Sequence, residues 1–352
     1  MASDTRQDAL NVLSSPLNII AAGVILTGLV YGADFLIPIV VAFLIANVLE
    51  ALIQRLQRLR LPLLIAMPLA ILIVLAAITG LVVVFMSQID EFAAAWPRYT
   101  ERLEALGVSL VAGLGEEWTA HLQKQLSSLD LAGRLSSAVG SASNLLINFL
   151  LVLLYVAFLL AERGRMYRRL VSLGDTSADR SQTLRTLDNI SDGIRQYLYV
   201  KTVVSLVTGG ISYAVLTWIG LDFAEIWAVI IFLLNFIPSI GSVLGVVFPA
   251  LLALVQFDTL EPFLIIVGFL AVIQVLIGNV AEPALMGRSL NLSPFAVMAS
   301  LMFWSAVWGI AGAFLAVPIT AALLILCREL DAWRWISVLL SNDDGRHTPS
   351  PT

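Results

Sequence analysis

Three polar side chains near the end of one apolar run carry the strongest chemical signal in the sequence: Gln274, Asn279 and Glu282. Asn279 and Glu282 stand three apart, so on a continuing helix they share a face. A carboxylate at the end of a membrane span can take up and release a proton or a cation if it is buried. Glu282 is therefore the candidate proton or cation carboxylate. The plainer alternative is a solvated end residue paired with Arg288, although Pro283 and Gly287 argue against an ordinary loop. A second cluster, Asn235-Phe236-Ile237-Pro238-Ser239-Ile240-Gly241, interrupts a long apolar run. Pro238 has no N–H, Gly241 is conformationally free, and Asn235 and Ser239 bring side-chain oxygens. Irregular backbone at membrane depth is tolerated where it is buried in protein or lines a cavity. Freed carbonyls and these oxygens could there coordinate a polar solute or a cation. The alternative is a loop reaching the opposite interface, with Asn235 capping a helix. A third run breaks at Gly309-Ile310-Ala311-Gly312, and Gly309 and Gly312 complete the candidate pathway.

Other residues with chemical potential read more plainly. Arg195 and Lys201 flank an apolar run, where topology anchoring is the favoured role and gating the alternative, with Arg288 in the same group. The two histidines, His121 and His347, lie far apart, and the single cysteine, Cys327, sits in an apolar run. No zinc-type cluster, HExxH, serine nucleophile elbow or phosphate-binding glycine loop is present in the sequence. The expectation is no enzyme, no metal and no cofactor.

The composition says where these residues work. Of 352 residues, 59% are apolar and 13% charged, against about 45–50% and 25% in soluble domains. A soluble globule of this length needs more polar residues to cover its surface, so the chain is an integral membrane protein. A net charge of −5 gives no basic footprint for nucleic acid.

Spans follow from apolar runs of about 20 residues. Residues 1–16 form a polar, cytoplasmic amino-terminal segment, and 17–86 hold the first three membrane segments, with a turn expected at 31–34. Residues 87–140 are an extracytoplasmic amphipathic helical insert, and 141–161 are the fourth segment. Residues 162–201 are a basic cytoplasmic insert, 202–327 the transport core, and 328–352 a cytoplasmic tail. The basic insert carries eight Lys and Arg; the 87–140 insert has four against seven acids. With the arginine cluster at 54–60, this charge bias places both termini in the cytoplasm. Within the core, 224–256 and 294–326 are each about 33 residues, near 50 Å as straight helix. Each reads as two segments folded back at its Gly or Pro break. Two opposed hairpins about one span suit a transporter with broken helices.

At these motifs the sequence resembles the autoinducer-2 exporter family of bacterial and archaeal membrane proteins. The resemblance rests on Gly193-Ile194-Arg195-Gln196-Tyr197, on the 235–241 break, and on Gly278-Asn279-Val280-Ala281-Glu282-Pro283-Ala284-Leu285-Met286-Gly287-Arg288. Leu290-Asn291-Leu292-Ser293-Pro294, Gly309-Ile310-Ala311-Gly312 and Ala316-Val317-Pro318 complete it. It covers 17–328 and is most specific in the carboxyl-terminal half. It implies a permease of about eight membrane segments, with export of autoinducer-2 as one activity and alkali cation/proton antiport as another. Ser239 and Ser242 stand where many relatives carry a tyrosine or asparagine and a proline, so the first break differs in shape or selectivity.

The expected fold is an all-α, polytopic helical bundle with two broken or re-entrant hairpins and an extramembrane insert. The expected function is a secondary transporter of the bacterial or archaeal inner membrane, exporting a small polar metabolite, autoinducer-2 first. Coupling to H+ or Na+ and homo-oligomerisation go with it, the latter because the insert exposes apolar stripes; membrane lipid is the surrounding partner. The alternatives are an alkali cation/proton antiporter and a non-transport scaffold.

Overall fold

The computed structural model describes residues 20–111, 142–172, 177–286, 292–329 and 340. Every element among them is helical: α1 (Ile20–Tyr31), α2 (Ala33–Arg58), α3 (Leu63–Val111), α4 (Ala142–Ser172), α5 (Ser177–Ile219), α6 (Ala224–Leu234), α7 (Ile240–Gln256), α8 (Glu261–Leu276), a π-helical turn (Ile277–Ala281), α9 (Glu282–Met286) and α10 (Pro294–Glu329). Five segments are long and apolar enough to cross a membrane: Ala33–Arg58, Leu63–Val84, Arg180–Ile219, Glu261–Met286 and Pro294–Cys327. The all-α polytopic class read from composition is the observed one.

Helix ends follow local chemistry. α2 stops where Arg60 enters the left-handed region (φ 67°) just before Pro62. The Leu61 and Arg60 N–H groups then return to the carbonyls of Leu56 and Gln57, answering acceptors the helix leaves open. Gly220 (φ 77°) closes α5 with the same pair of bonds, Leu221 to Leu216 and Gly220 to Thr217.

At three expected boundaries helical hydrogen bonding continues. The turn expected at 31–34 is a bend, because Gly32 N–H bonds Gly28 O and Leu36 N–H bonds Gly32 O, keeping the helical spacing through it. α3 runs through position 87 and α5 through 201 without interruption. Their charged ends are therefore continuations of spans, since charge changes which part of a helix meets water without ending it. Of the amphipathic insert, the 112–140 portion lies outside the described residues.

Both long carboxyl-terminal runs fold back on themselves. α6 and α7 pack together, with Gly220 O and the Asp222 N–H at one base both bonded to the Gln256 amide at the other. In α10 the Trp304 indole donates to Thr320 Oγ1 at 3.2 Å, whereas sixteen residues of straight helix would separate them by about 24 Å. The fold occurs at Gly309, whose φ of 60° and ψ of −138° are not helical.

Three apolar clusters hold the bundle. One joins α2, α3 and α4 through Ala42, Leu49, Ala66 and Val156. Another joins α2, α5 and α10 through Leu44, Ile194, Leu301 and Trp304, and takes in Ile237 from the first break. The last joins α5 to α8 through Leu216, Ile231, Ala250 and Ile266.

Candidate functional site

The tip of the α6–α7 hairpin is shaped by two residues. Ser239 takes a positive φ of 61°, which turns the chain back in the fewest residues. A Cβ on Gly241 would lie 1.8 Å from the Leu234 carbonyl oxygen, so only glycine lets α7 begin against the end of α6. Asn235 does not cap a helix with its side chain. It is buried, and its Nδ2 donates to Ser205 Oγ on α5 at 3.0 Å.

Opposite this tip, α8 passes into the π-helical turn before α9. The extra residue in that turn shifts the side chains beyond it around the axis, a device that often marks functional sites. Gln274 is buried, with Nε2 3.2 Å from where a Gly245 Cβ would be. Beyond the turn, Glu282 Oε1 accepts from Lys201 Nζ at 2.6 Å, with side-chain exposures of 19% and 5%.

These pieces border a cavity of about 310 Å³. Of the expected pathway residues, Asn235, Pro238, Ser239, Gln274, Asn279 and Glu282 line it. Lys201, expected to anchor topology, lines it as well, as do Ser242 and Gly278. Lys201 carries a legible signal only once α5 is known to be unbroken: it stands four residues beyond Tyr197 and four before Ser205, on the buried face of that helix. The ion pair answers the buried Lys201 charge and the partly buried Glu282 charge, and the amides of Asn235, Gln274 and Asn279 add neutral donors and acceptors around it.

The other expected residues lie elsewhere. Gly309 and Gly312 are at the fold of α10, outside the cavity lining. A Gly312 Cβ would meet Trp304 O at 1.8 Å, so this glycine serves the fold-back. The two breaks nevertheless touch, Phe236 stacking on Phe314 at 6.3 Å. Arg195 pairs with Glu50 of α2 at 2.8 Å and Asp192 at 3.3 Å, tying α5 to α2 away from the cavity. Arg288 lies outside the described residues. Among the described residues no group of three or more His, Cys, Asp or Glu could hold a metal ion.

Sequence reading missed a contact outside the apolar spans. The α3 extension lies on the base of the α6–α7 hairpin. Tyr99 OH donates to Asp222 Oδ2 at 2.6 Å. Arg102 pairs with Asp258 and donates to the Val255 and Gln256 carbonyls. Nothing in local spacing signals a partner 123 residues away.

Comparison with known proteins gives a consistent picture. A family profile described as AI-2E family transporter matches residues 19–332. The AI-2 transport protein TqsA of Escherichia coli (strain K12) is 30% identical, the match covering 91% of this chain and 93% of that protein. A Haemophilus influenzae protein named "Putative transport protein" is 29% identical over the same shares. One of the same name from Borreliella burgdorferi is 35% identical over 58% of this chain and 56% of its own.

Proposed function

The chain belongs to the AI-2E family of transporters, and from that premise we propose that it exports a small hydroxyl-bearing solute, autoinducer-2, in exchange for protons. The cavity with Lys201 and Glu282 at its wall carries the reading. A solute hydroxyl accepts from the Lys201 ammonium and donates to the Glu282 carboxylate. A proton arriving on Glu282 replaces the anionic acceptor by a weaker neutral one, so proton and solute compete for one site. Competition of this kind is what antiport requires, since each side of the membrane is reached with one or the other bound. Asn235, Gln274, Asn279 and Ser239 supply the remaining polar contacts.

The basic segments at 54–60 and 162–201 face the cytoplasm by their charge, which sets the cavity in the cytoplasmic half of the bundle. Movement of the α6–α7 and α10 hairpins against the other helices opens the site to the two sides in turn. The chain acts as a homo-oligomer in a bacterial inner membrane. The oxygens of Ser239, Asn279 and Glu282 would also suit an alkali cation, but an ammonium already occupies the carboxylate, which weighs against cation/proton antiport.

The test uses purified protein in liposomes with an interior pH dye and an imposed proton gradient. Autoinducer-2, sodium, lithium and potassium are added separately. Proton flux with autoinducer-2 alone, absent in E282Q and in empty liposomes, is the expected result. Flux with cations alone would replace this reading by antiport of cations. Unchanged exchange by E282Q would remove Glu282 from the coupling.

A further inference from the structure

The cavity lies far from the Ile219 end of α5. Asn235 bonds Ser205, fourteen residues from the Ile219 end of α5, or about 21 Å of helix. A solute leaving towards that end must pass the packing of α5 against α6, α7 and α8, which is mostly apolar: Leu216, Ile231, Ala253 and Leu270 are fully or almost fully buried there.

One strip of α5 departs from that pattern. Lys201, Ser205, Thr208 and Ser212 follow at intervals of four, three and four, hence on one face. All four are buried, the three hydroxyl residues at 0% exposure. The strip faces α6. Ser205 accepts from Asn235, and a Cβ on Gly209 would lie 3.0 Å from Ala228 O and 3.2 Å from Phe232 Cβ. Further along, Tyr213 OH donates to Glu225 at 3.3 Å. The antiparallel register these contacts fix sets Ser212 level with the turn of α6 that carries Trp227, whose ring lies on Phe248 of α7 at 6.3 Å.

Hydroxyls that serve only to pack helices return to a carbonyl of their own turn. Thr202 and Thr208 do so, bonding Leu198 O and Val204 O. Ser212 Oγ does not. It and the indole N–H of Trp227 are enclosed and have no hydrogen-bond partner within the protein, an arrangement that is costly where lipid surrounds the helices. The two atoms complement one guest. An indole N–H only donates, and a serine hydroxyl donates or accepts, so a solute hydroxyl satisfies both while a bare cation leaves the indole N–H without an acceptor.

We propose that Ser212 and Trp227 form a second station for a hydroxyl-bearing solute, on the way out of the cavity past Ser205 and Thr208. This rests on the export reading above. The solute reaches the station when α6 parts from α5, a seam where Gly209 presents no side chain.

Thiol labelling tests the route without any solute. In a Cys327→Ala background, full-length Ser212→Cys, Ser239→Cys and Ile211→Cys proteins in liposomes are exposed to a small anionic methanethiosulfonate. Ile211 lies beside Ser212 but faces outward from the bundle. Labelling at Ser239→Cys and Ser212→Cys, and none at Ile211→Cys, is the expected pattern. No reaction at Ser212→Cys under conditions that label Ser239→Cys overturns the station, as does equal reaction at Ile211→Cys. In the second arm, Ser212→Ala/Trp227→Phe slows efflux of labelled autoinducer-2 about tenfold, the worth of roughly one lost hydrogen bond in the transition state, while equilibrium binding to the cavity persists. Wild-type efflux from that double variant also overturns it. Should the wild-type protein move no autoinducer-2, the export reading fails, and the thiol pattern still decides whether the seam is an aqueous route.

Discussion

An ammonium and a carboxylate 2.6 Å apart, both largely withdrawn from water, stabilise the bundle only as a pair. Removing one partner leaves the other charge buried and unanswered, which costs about 3–5 kcal/mol in a fully buried pair. Here Glu282 opens onto the cavity, so the loss falls below that range. Thermal unfolding in detergent should therefore show E282Q and K201M each destabilised. The double variant should recover much of the loss, with a coupling energy on the order of 1–3 kcal/mol. Simple additivity of the two single changes would show that the pair does not hold the site. The sequence singles out Glu282 because a carboxylate beside a proline at a span end is unusual. It does not single out Lys201, because a lysine at the head of an apolar run has the same spacing whether it reaches for headgroups or turns inward. Only the unbroken course of α5 and the arrival of Glu282 from 81 residues away distinguish the two.

At the scale of elements, both hairpins depend on a glycine at which backbone meets backbone. A Cβ would lie 1.8 Å from Leu234 O at Gly241 and 1.8 Å from Trp304 O at Gly312. Neither carbonyl can move as a flexible side chain can. Gly268 and Gly278 have nothing within 4 Å of the same construction. G241A and G312A should thus abolish a monodisperse peak on size exclusion, and G268A and G278A should leave it intact. A well-folded G241A would mean that the tip closes in some other way. The fold-backs themselves were legible because runs near 33 residues overshoot a bilayer and carry Gly or Pro at their middles. Which break builds the cavity was not. Pro238 and Ser239 bend the backbone beside polar groups of α5 and α8. Gly309 bends it among Trp304, Trp308 and Leu315, where the fold-back is wrapped in aromatic and aliphatic packing. At the turn expected at 31–34, Gly32 keeps helical hydrogen bonds on both sides, so α1 and α2 meet there in a bend.

Across the whole molecule, the hairpin that carries half of the cavity wall is fastened at its far end by α3. Tyr99 bonds Asp222, the Phe92 and Phe223 rings meet edge to face at 5.2 Å, and Arg102 pairs with Asp258. Gln256 ties the two hairpin ends together beneath them. A part of the chain that composition assigns to the aqueous side is thereby coupled to the hairpin proposed to move in transport. Titration offers a way to loosen this clasp selectively. Burial, then the hydrogen bond to Asp222 and its negative charge, hold the Tyr99 phenol well above the usual tyrosine value near 10. The folded protein therefore keeps the proton more tightly than the unfolded chain does. The clasp's contribution is complete below about pH 10 and declines as pH rises from there towards the folded-state value. Between pH 8 and pH 11 the wild-type unfolding temperature should fall further than that of Y99F, which has no phenol to ionise; comparison of the two cancels the other tyrosines and lysines titrating in the same interval. Equal losses in both proteins would show that the Tyr99–Asp222 bond contributes nothing to holding the hairpin. A larger loss in the wild type would show that the buried Tyr99 phenol helps to hold the α3 extension on the base of the α6–α7 hairpin.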